Sequence, residues 1–147
     1  TAKARIYPLE RIKDYSNNYH QSGGKASLAD YYHARYQSVI FDKALQQNIT
    51  FANHNLATDG VFAEMHLILC RNVLIYFNRA LQDRALTTFC NSLHYNGFLC
   101  LGSKETIQFS AIEKDFVDFA PKEKIYQSKH HKPATKELLF IKEDDKR

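Results

Sequence analysis

The sequence predicts an α/β fold, a sheet with helices on its faces. Three observations predict it. "HLILC" (66–70) and "GFLCLG" (97–102) are short apolar runs of the kind that strands buried on both faces show. Between them lies the clearest helix of the chain, "NRALQDRALTTFCNSLHY" (78–95). The resulting order of strand, loop, strand, helix, strand is the grammar of an α/β sheet.

Taken from the N-terminus, Pro8 suits a helix start. "LERIKDYSNNY" then places Leu9, Ile12, Tyr15 and Tyr19 at roughly helical spacing. The double glycine of "QSGGKAS" breaks that helix. "LADYYHARYQSVIF" (28–41) is rich in aromatic and β-branched residues and predicts a small sheet or hairpin. "DKALQQ" predicts a turn or short helix. "NITFANHNL" (48–56) reads as a strand that ends in polar residues, and "TDGVFAEM" (58–65) as a loop turning at Asp59-Gly60. In the main helix Asn78 is the N-cap. Leu81, Ala85, Leu86, Phe89 and Leu93 form one apolar stripe, and Asn96-Gly97 marks the expected end. "FVDFAPKEKIYQSK" (116–129) predicts two final strands joined by a turn at Pro121. Beyond Ser128, "KHHKPATKELLFIKEDDKR" loses this grammar and reads as a charged, flexible tail over 129–147, docking at most by Leu138 to Ile141.

The 147 residues are 44% hydrophobic, enough for a core of domain size. A net charge of +4, with the basic residues scattered, is too mild to argue for nucleic acid. No apolar run approaches the length of a membrane span. No signal-peptide pattern opens the chain. Cys70, Cys90 and Cys100 form no CxxC pair, and such a sparse, odd set fits a reducing compartment. A cytoplasmic location is expected. "TAKARIY" reads as a helix already under way, so a longer parent protein is expected.

One stretch asks for a functional explanation. In "LILCRNVLIYFN" (67–78) an arginine and an asparagine interrupt two apolar runs. In open α/β sheets, ligands bind beyond the carboxyl ends of the strands. Arg71 and Asn72 fall at such a tip, as do Asn53, His54 and Asn55 after "ITF". These donors and acceptors suit a polar small molecule. Capping and solubility at a strand-to-helix turn would explain the same residues, and spacing alone leaves both readings open.

"CRNVLIYF", the helix with "LQDRAL", and "NGFLCLGSKE" together resemble the CheR-type chemotaxis receptor methyltransferases. "NITFANHNLATDGVF" resembles the neighbouring strand and loop of that family, and the resemblance runs from about Arg5 to Ser128. It implies a seven-stranded sheet that uses S-adenosylmethionine, with a small antiparallel subdomain inserted at about 18–47. It implies that residues 1–128 form the C-terminal part of the catalytic domain. The family's glycine-rich cofactor loop and its ribose-holding acidic residue would both precede Thr1. The implied activity is methylation of glutamate side chains on chemoreceptors, whose cytoplasmic domain would be the partner, without insertion into the membrane. The implied cofactor contacts are Asn55, Leu56, Arg71 and Asn72, and Tyr76 would lie near the transferred methyl group. The segment 23–47 looks longer than in well-known members, so receptor-peptide tethering does not carry over by resemblance alone. "GSKE" stands where many members have Gly-x-Ser-Glu.

The chemistry fits the residues. A glutamate is already ionised at neutral pH, with a reference pKa of about 4.3, so its methylation needs no strong general base. Orientation and exclusion of water are what help. No histidine or cysteine spacing supports a metal site. Aromatic residues such as "YYHARY" belong more simply to a small core than to nucleic-acid stacking. The rival from another class is a non-catalytic, methyltransferase-like scaffold within a larger signalling protein. The sequence preceding Thr1 discriminates the two.

Overall fold

The computed structural model describes residues 1–62 and 64–129, so all but the first residue of the expected tail lies outside the described residues. The chain divides into two compact units, Thr1–Asn53 and His54–Arg147.

The first unit is built on a three-stranded antiparallel sheet. Its strands are β1 (Ile6–Pro8), β2 (Tyr32–Arg35) and β3 (Ser38–Phe41), in the order β1-β3-β2. The hairpin expected in 28–41 is β2 and β3, with Tyr36 at φ 54° in the turn. The third strand is a difference. Ile6–Pro8 pairs with β3 in the register Ile6↔Ile40, so the small sheet draws a strand from ahead of residue 18. The helix expected in "TAKARIY" is therefore absent: residues 2–5 form a turn, and Ile6–Pro8 are a strand only because β3 lies beside them.

Pro8 leads through one 3₁₀ turn into α1 (Ile12–Gln21). Gly23, at φ 93°, and Gly24 end it, as expected. A Cβ on Gly24 would collide with the Tyr19 ring, so only glycine lets the chain leave the helix beside that ring. Aromatic edges fill this unit: Tyr7 meets Phe41 and Tyr15, and Tyr32 also meets Phe41. Val39, fully buried, anchors the middle strand.

The second unit is a mixed four-stranded sheet of β4 (Met65–Cys70), β5 (Leu93–Leu101), β6 (Phe116–Ala120) and β7 (Ile125–Ser128), in the order β4-β5-β7-β6. β4 and β5 are parallel and are joined through α2 (Arg79–Ser92); β7 is antiparallel to both its neighbours. An α/β fold is thus present, with the two final strands and their turn as expected. Ala85, Leu86, Phe89 and Cys90 of α2 pack with Cys70, Leu99, Leu101, Phe116 and Tyr126 into one core. Each fully buried large side chain there contributes roughly 1.5–3 kcal/mol. The other face of the sheet keeps Leu67, Leu69, Val117 and Phe119 exposed.

Three expectations are corrected here. No strand forms over 48–56. Among the described residues nothing pairs with β4 on its outer side, and a strand without a neighbour leaves its N–H and C=O groups unpaired. The turn of the next loop lies at 56–58 rather than at Asp59-Gly60. Finally, α2 stops at Ser92, because Leu93 turns extended and is fully buried as the first residue of β5. Asn96-Gly97 is instead an irregularity within β5: Asn96 has φ 64°, and the pairing jumps from Met65↔Leu93 to Leu67↔Phe98. A Cβ on Gly97 would lie 2.9 Å from the His94 carbonyl and 3.1 Å from that of His66, so the glycine serves a close strand approach.

Candidate functional site

Because β4 and β5 are parallel, their carboxyl ends lie side by side, where α/β sheets bind ligands. β4 ends at Cys70. Arg71, Asn72 and Val73 follow, then a single 3₁₀ turn, Leu74–Tyr76, then Phe77 and the cap Asn78, whose Oδ1 accepts from the Leu81 N–H at 3.0 Å. The arginine and asparagine that interrupt the apolar sequence thus stand just past the strand end. Asn72 takes φ 59°, a left-handed conformation that asparagine tolerates better than most residues.

The turn is held from β5. Glu105, three residues past Gly102, is only 4% exposed. Its Oε2 accepts from the Gly102 N–H at 2.6 Å and the Asn72 N–H at 3.0 Å. Its Oε1 accepts from the Val73 N–H at 2.8 Å and the Leu74 N–H at 2.7 Å. Burial alone would raise the carboxyl pKa, but these four backbone donors outweigh it and hold the pKa below the ordinary value. Gly102 permits the approach, since a Cβ there would lie 2.5 Å from Asn72 Oδ1 and 2.8 Å from Glu105 Oε2.

With its backbone tied to Glu105, the turn presents Arg71, Asn72 and Tyr76 outward. Leu74 points into the core at 3% exposure, and the Gln82 carboxamide donates to the Leu74 and Phe77 carbonyls at 3.0 and 3.1 Å. Arg71 and Asn72 are exposed, and no hydrogen bond or ion pair among the described residues engages their side chains. Tyr76 is 81% exposed, so it is not a core aromatic. Cys70, beside Arg71, is no nucleophile at neutral pH. Burial, helped by the Glu105 charge, pushes its thiol up to about 11.

Asn55 and Leu56 lie on a second turn. The Asn55 Oδ1 accepts from the Ala57 N–H at 3.0 Å, while Asp59 Oδ2 accepts from the Asn55 N–H at 2.7 Å and meets His54 Nδ1 at 3.2 Å. The Asn55 carbonyl is therefore spent locally, and its amide N–H₂ remains to donate. Leu56 and Phe62 pack on the core that α2 covers, and the Arg84 guanidinium donates to the Thr58 carbonyl at 3.1 Å. The structure thus gathers Arg71, Asn72 and Tyr76 on one turn and sets Asn55 and Leu56 on another.

Glu105, the last residue of the "GSKE" that enters the resemblance, is the residue to which sequence reasoning gave no role. Its only local signal is an acidic residue three positions after a glycine that ends a buried strand. Nothing local says which amides it would meet.

The family profile described as CheR methyltransferase, SAM binding domain, matches residues 1–123. The chain belongs to the CheR methyltransferase family. A Pseudomonas putida protein named "Putative methyltransferase Cher3" is 48% identical over 126 residues, which are 86% of this chain and 46% of that protein. A "Chemotaxis protein methyltransferase" of Listeria monocytogenes is 40% identical over 62 residues, 42% of this chain and 24% of its own length. One of the same name in Vibrio parahaemolyticus is 33% identical over 60 residues, 40% of this chain and 22% of its own. The matched stretches cover less than half the length of each of these relatives. As a SAM binding domain of the CheR family it takes S-adenosylmethionine as cofactor. The turn after β4 has donors for such a molecule in the Arg71 guanidinium and the Asn72 carboxamide, and Asn55 keeps its side-chain N–H₂. No helix among the described residues is long and apolar enough to cross a membrane.

Proposed function

We propose that this chain is the C-terminal part of a cytoplasmic, S-adenosylmethionine-dependent methyltransferase that esterifies glutamate side chains on the cytoplasmic domain of a chemoreceptor. The observation that supports it most is the turn after β4, where Arg71, Asn72 and Tyr76 stand exposed and unengaged on a backbone fixed by Glu105. A turn that served only to cap α2 would need none of these three side chains. On this reading the four-stranded sheet is part of a seven-stranded one, and the small antiparallel sheet is the inserted subdomain.

Arg71, Asn72, Asn55 and Leu56 would bind the cofactor, Arg71 through an anionic group and the two asparagines through hydrogen bonds. The cofactor supplies an electrophilic methyl group on a sulfonium. The Tyr76 hydroxyl orients the substrate carboxylate, which is already ionised and needs no base. Loss of its negative charge changes the local electrostatics that a receptor reads.

The chain is expected to be inactive alone, since its match covers only 46% of the Pseudomonas putida relative. Tritiated methyl transfer to receptor membranes, with the full-length protein and this chain in parallel, tests both points. Turnover by the full-length protein alone supports the reading. Turnover by the isolated chain overturns the partial-domain claim. None by a folded full-length protein favours a scaffold.

A further inference from the structure

Glu105 is buried and charged, and the proposed chemistry does not use it. Its four partners are all backbone N–H groups, contributed by two chain segments: Gly102 from the end of β5, and Asn72, Val73 and Leu74 from the turn after β4. Three consecutive amides aimed at one carboxylate fix the peptide planes of that turn, and with them the directions in which Arg71 and Asn72 leave the backbone. Asn72 sits at φ 59°, a left-handed conformation that the hold on its N–H helps to fix. Removing the carboxylate would leave those amides without acceptors and free the turn to relax.

We propose that Glu105 is the positioning residue of the cofactor site: it clamps the tip of β4 to the tip of β5 and thereby presents Arg71 and Asn72 to the cofactor without touching it. The proposal rests on the reading of Arg71 and Asn72 as cofactor contacts. It adds a residue whose side chain faces the backbone, and it accounts for the glycine three positions earlier. A Cβ on Gly102 would press on the Asn72 N–H and side-chain oxygen and on the carboxylate at once, at 2.5–2.8 Å.

The test is calorimetric titration of S-adenosylhomocysteine into the full-length protein and into folded E105Q, G102A and the double variant, with melting temperatures alongside. R71A serves as the control for the underlying reading. The positioning role predicts at least tenfold weaker binding in E105Q and in G102A. It also predicts little further loss in the double variant, because both changes break the same clamp. A merely structural role lowers the melting temperature and leaves the affinity of the folded protein unchanged, and that result overturns the proposal. If R71A weakens binding while E105Q does not, the contact reading stands and the positioning role falls. If E105Q weakens binding while R71A does not, the clamp matters and Arg71 is not a contact. If neither does, both fall. Should E105Q fail to fold, G102A carries the decision alone.

Discussion

Gly102 and Asn72 approach so closely that a Cβ on Gly102 would lie 2.8 Å from the Asn72 amide nitrogen, across the gap between the tips of β5 and β4. The Glu105 carboxylate bonds both residues' N–H groups through the same oxygen, at 2.6 and 3.0 Å. Gly102→Ala is therefore expected to destabilise the chain by about 1–3 kcal/mol, the usual cost of overpacking a tight site. Urea denaturation should show a lower midpoint with an unchanged slope.

Acid should loosen the same contact. Folding lowers the Glu105 pKa, so its stabilising contribution is complete above the unfolded value of about 4.3. It is lost as pH falls through the still lower folded value. Wild type should thus exceed Glu105→Gln in stability at neutral pH by at least about 1–3 kcal/mol, the cost of a buried polar group left unsatisfied. The gap should narrow below the unfolded value. Denaturation curves at a series of pH values check this, and a gap that widens in acid would contradict it.

Asn72 needs a careful choice of substitution. At φ 59° an alanine adds backbone strain of roughly 1–2 kcal/mol, which glycine does not. Asn72→Gly therefore removes the carboxamide while sparing the backbone. In the full-length protein it should bind S-adenosylhomocysteine about tenfold more weakly, corresponding to about 1.4 kcal/mol. Asn72→Ala should show that loss and a lower melting temperature as well. Equal affinity in wild type and Asn72→Gly would make the residue a turn former only.

Tyr76→Phe separates orientation from packing. At 81% exposure the ring has little packing to lose, so the melting temperature should not move. If the hydroxyl orients the glutamate, kcat and kcat/KM should fall together by about tenfold with cofactor affinity unchanged, the pattern of an interaction made in the transition state. An unchanged rate returns catalysis to other groups.

The exposed apolar face and the β4 edge of the four-stranded sheet should make this chain self-associate. β4 is paired on one side only among the described residues, and Leu67 and Leu69 on it are 53% and 68% exposed. Such edges recruit other chains. Sedimentation at rising concentration should show larger species, and Leu69→Lys should suppress them. A monomer throughout would refute it.

The parts of this protein that were legible in sequence are those whose stabilising contacts are local or periodic. The α2 stripe, its Asn78 cap, the strand at 66–70 and the two glycines after α1 each answer to a neighbour a few residues away. The exposed Arg71 and Asn72 could be placed because a polar pair between two apolar runs has few other positions in a sheet. Pairing partners were not legible. Ile6–Pro8 is a strand only because β3 lies beside it, and 48–56 is not one because nothing pairs with it. Asn96-Gly97 had the composition of a helix end, yet it became the irregular point of β5, since burial of Leu93 ended the helix first. Glu105 is the sharpest case. Its partners lie 3 to 33 residues away and are all backbone amides, which every residue but proline carries, so no side-chain pattern announces them. Only the parallel pairing of β4 and β5, which brings two strand tips together, decided that this glutamate would meet four of them.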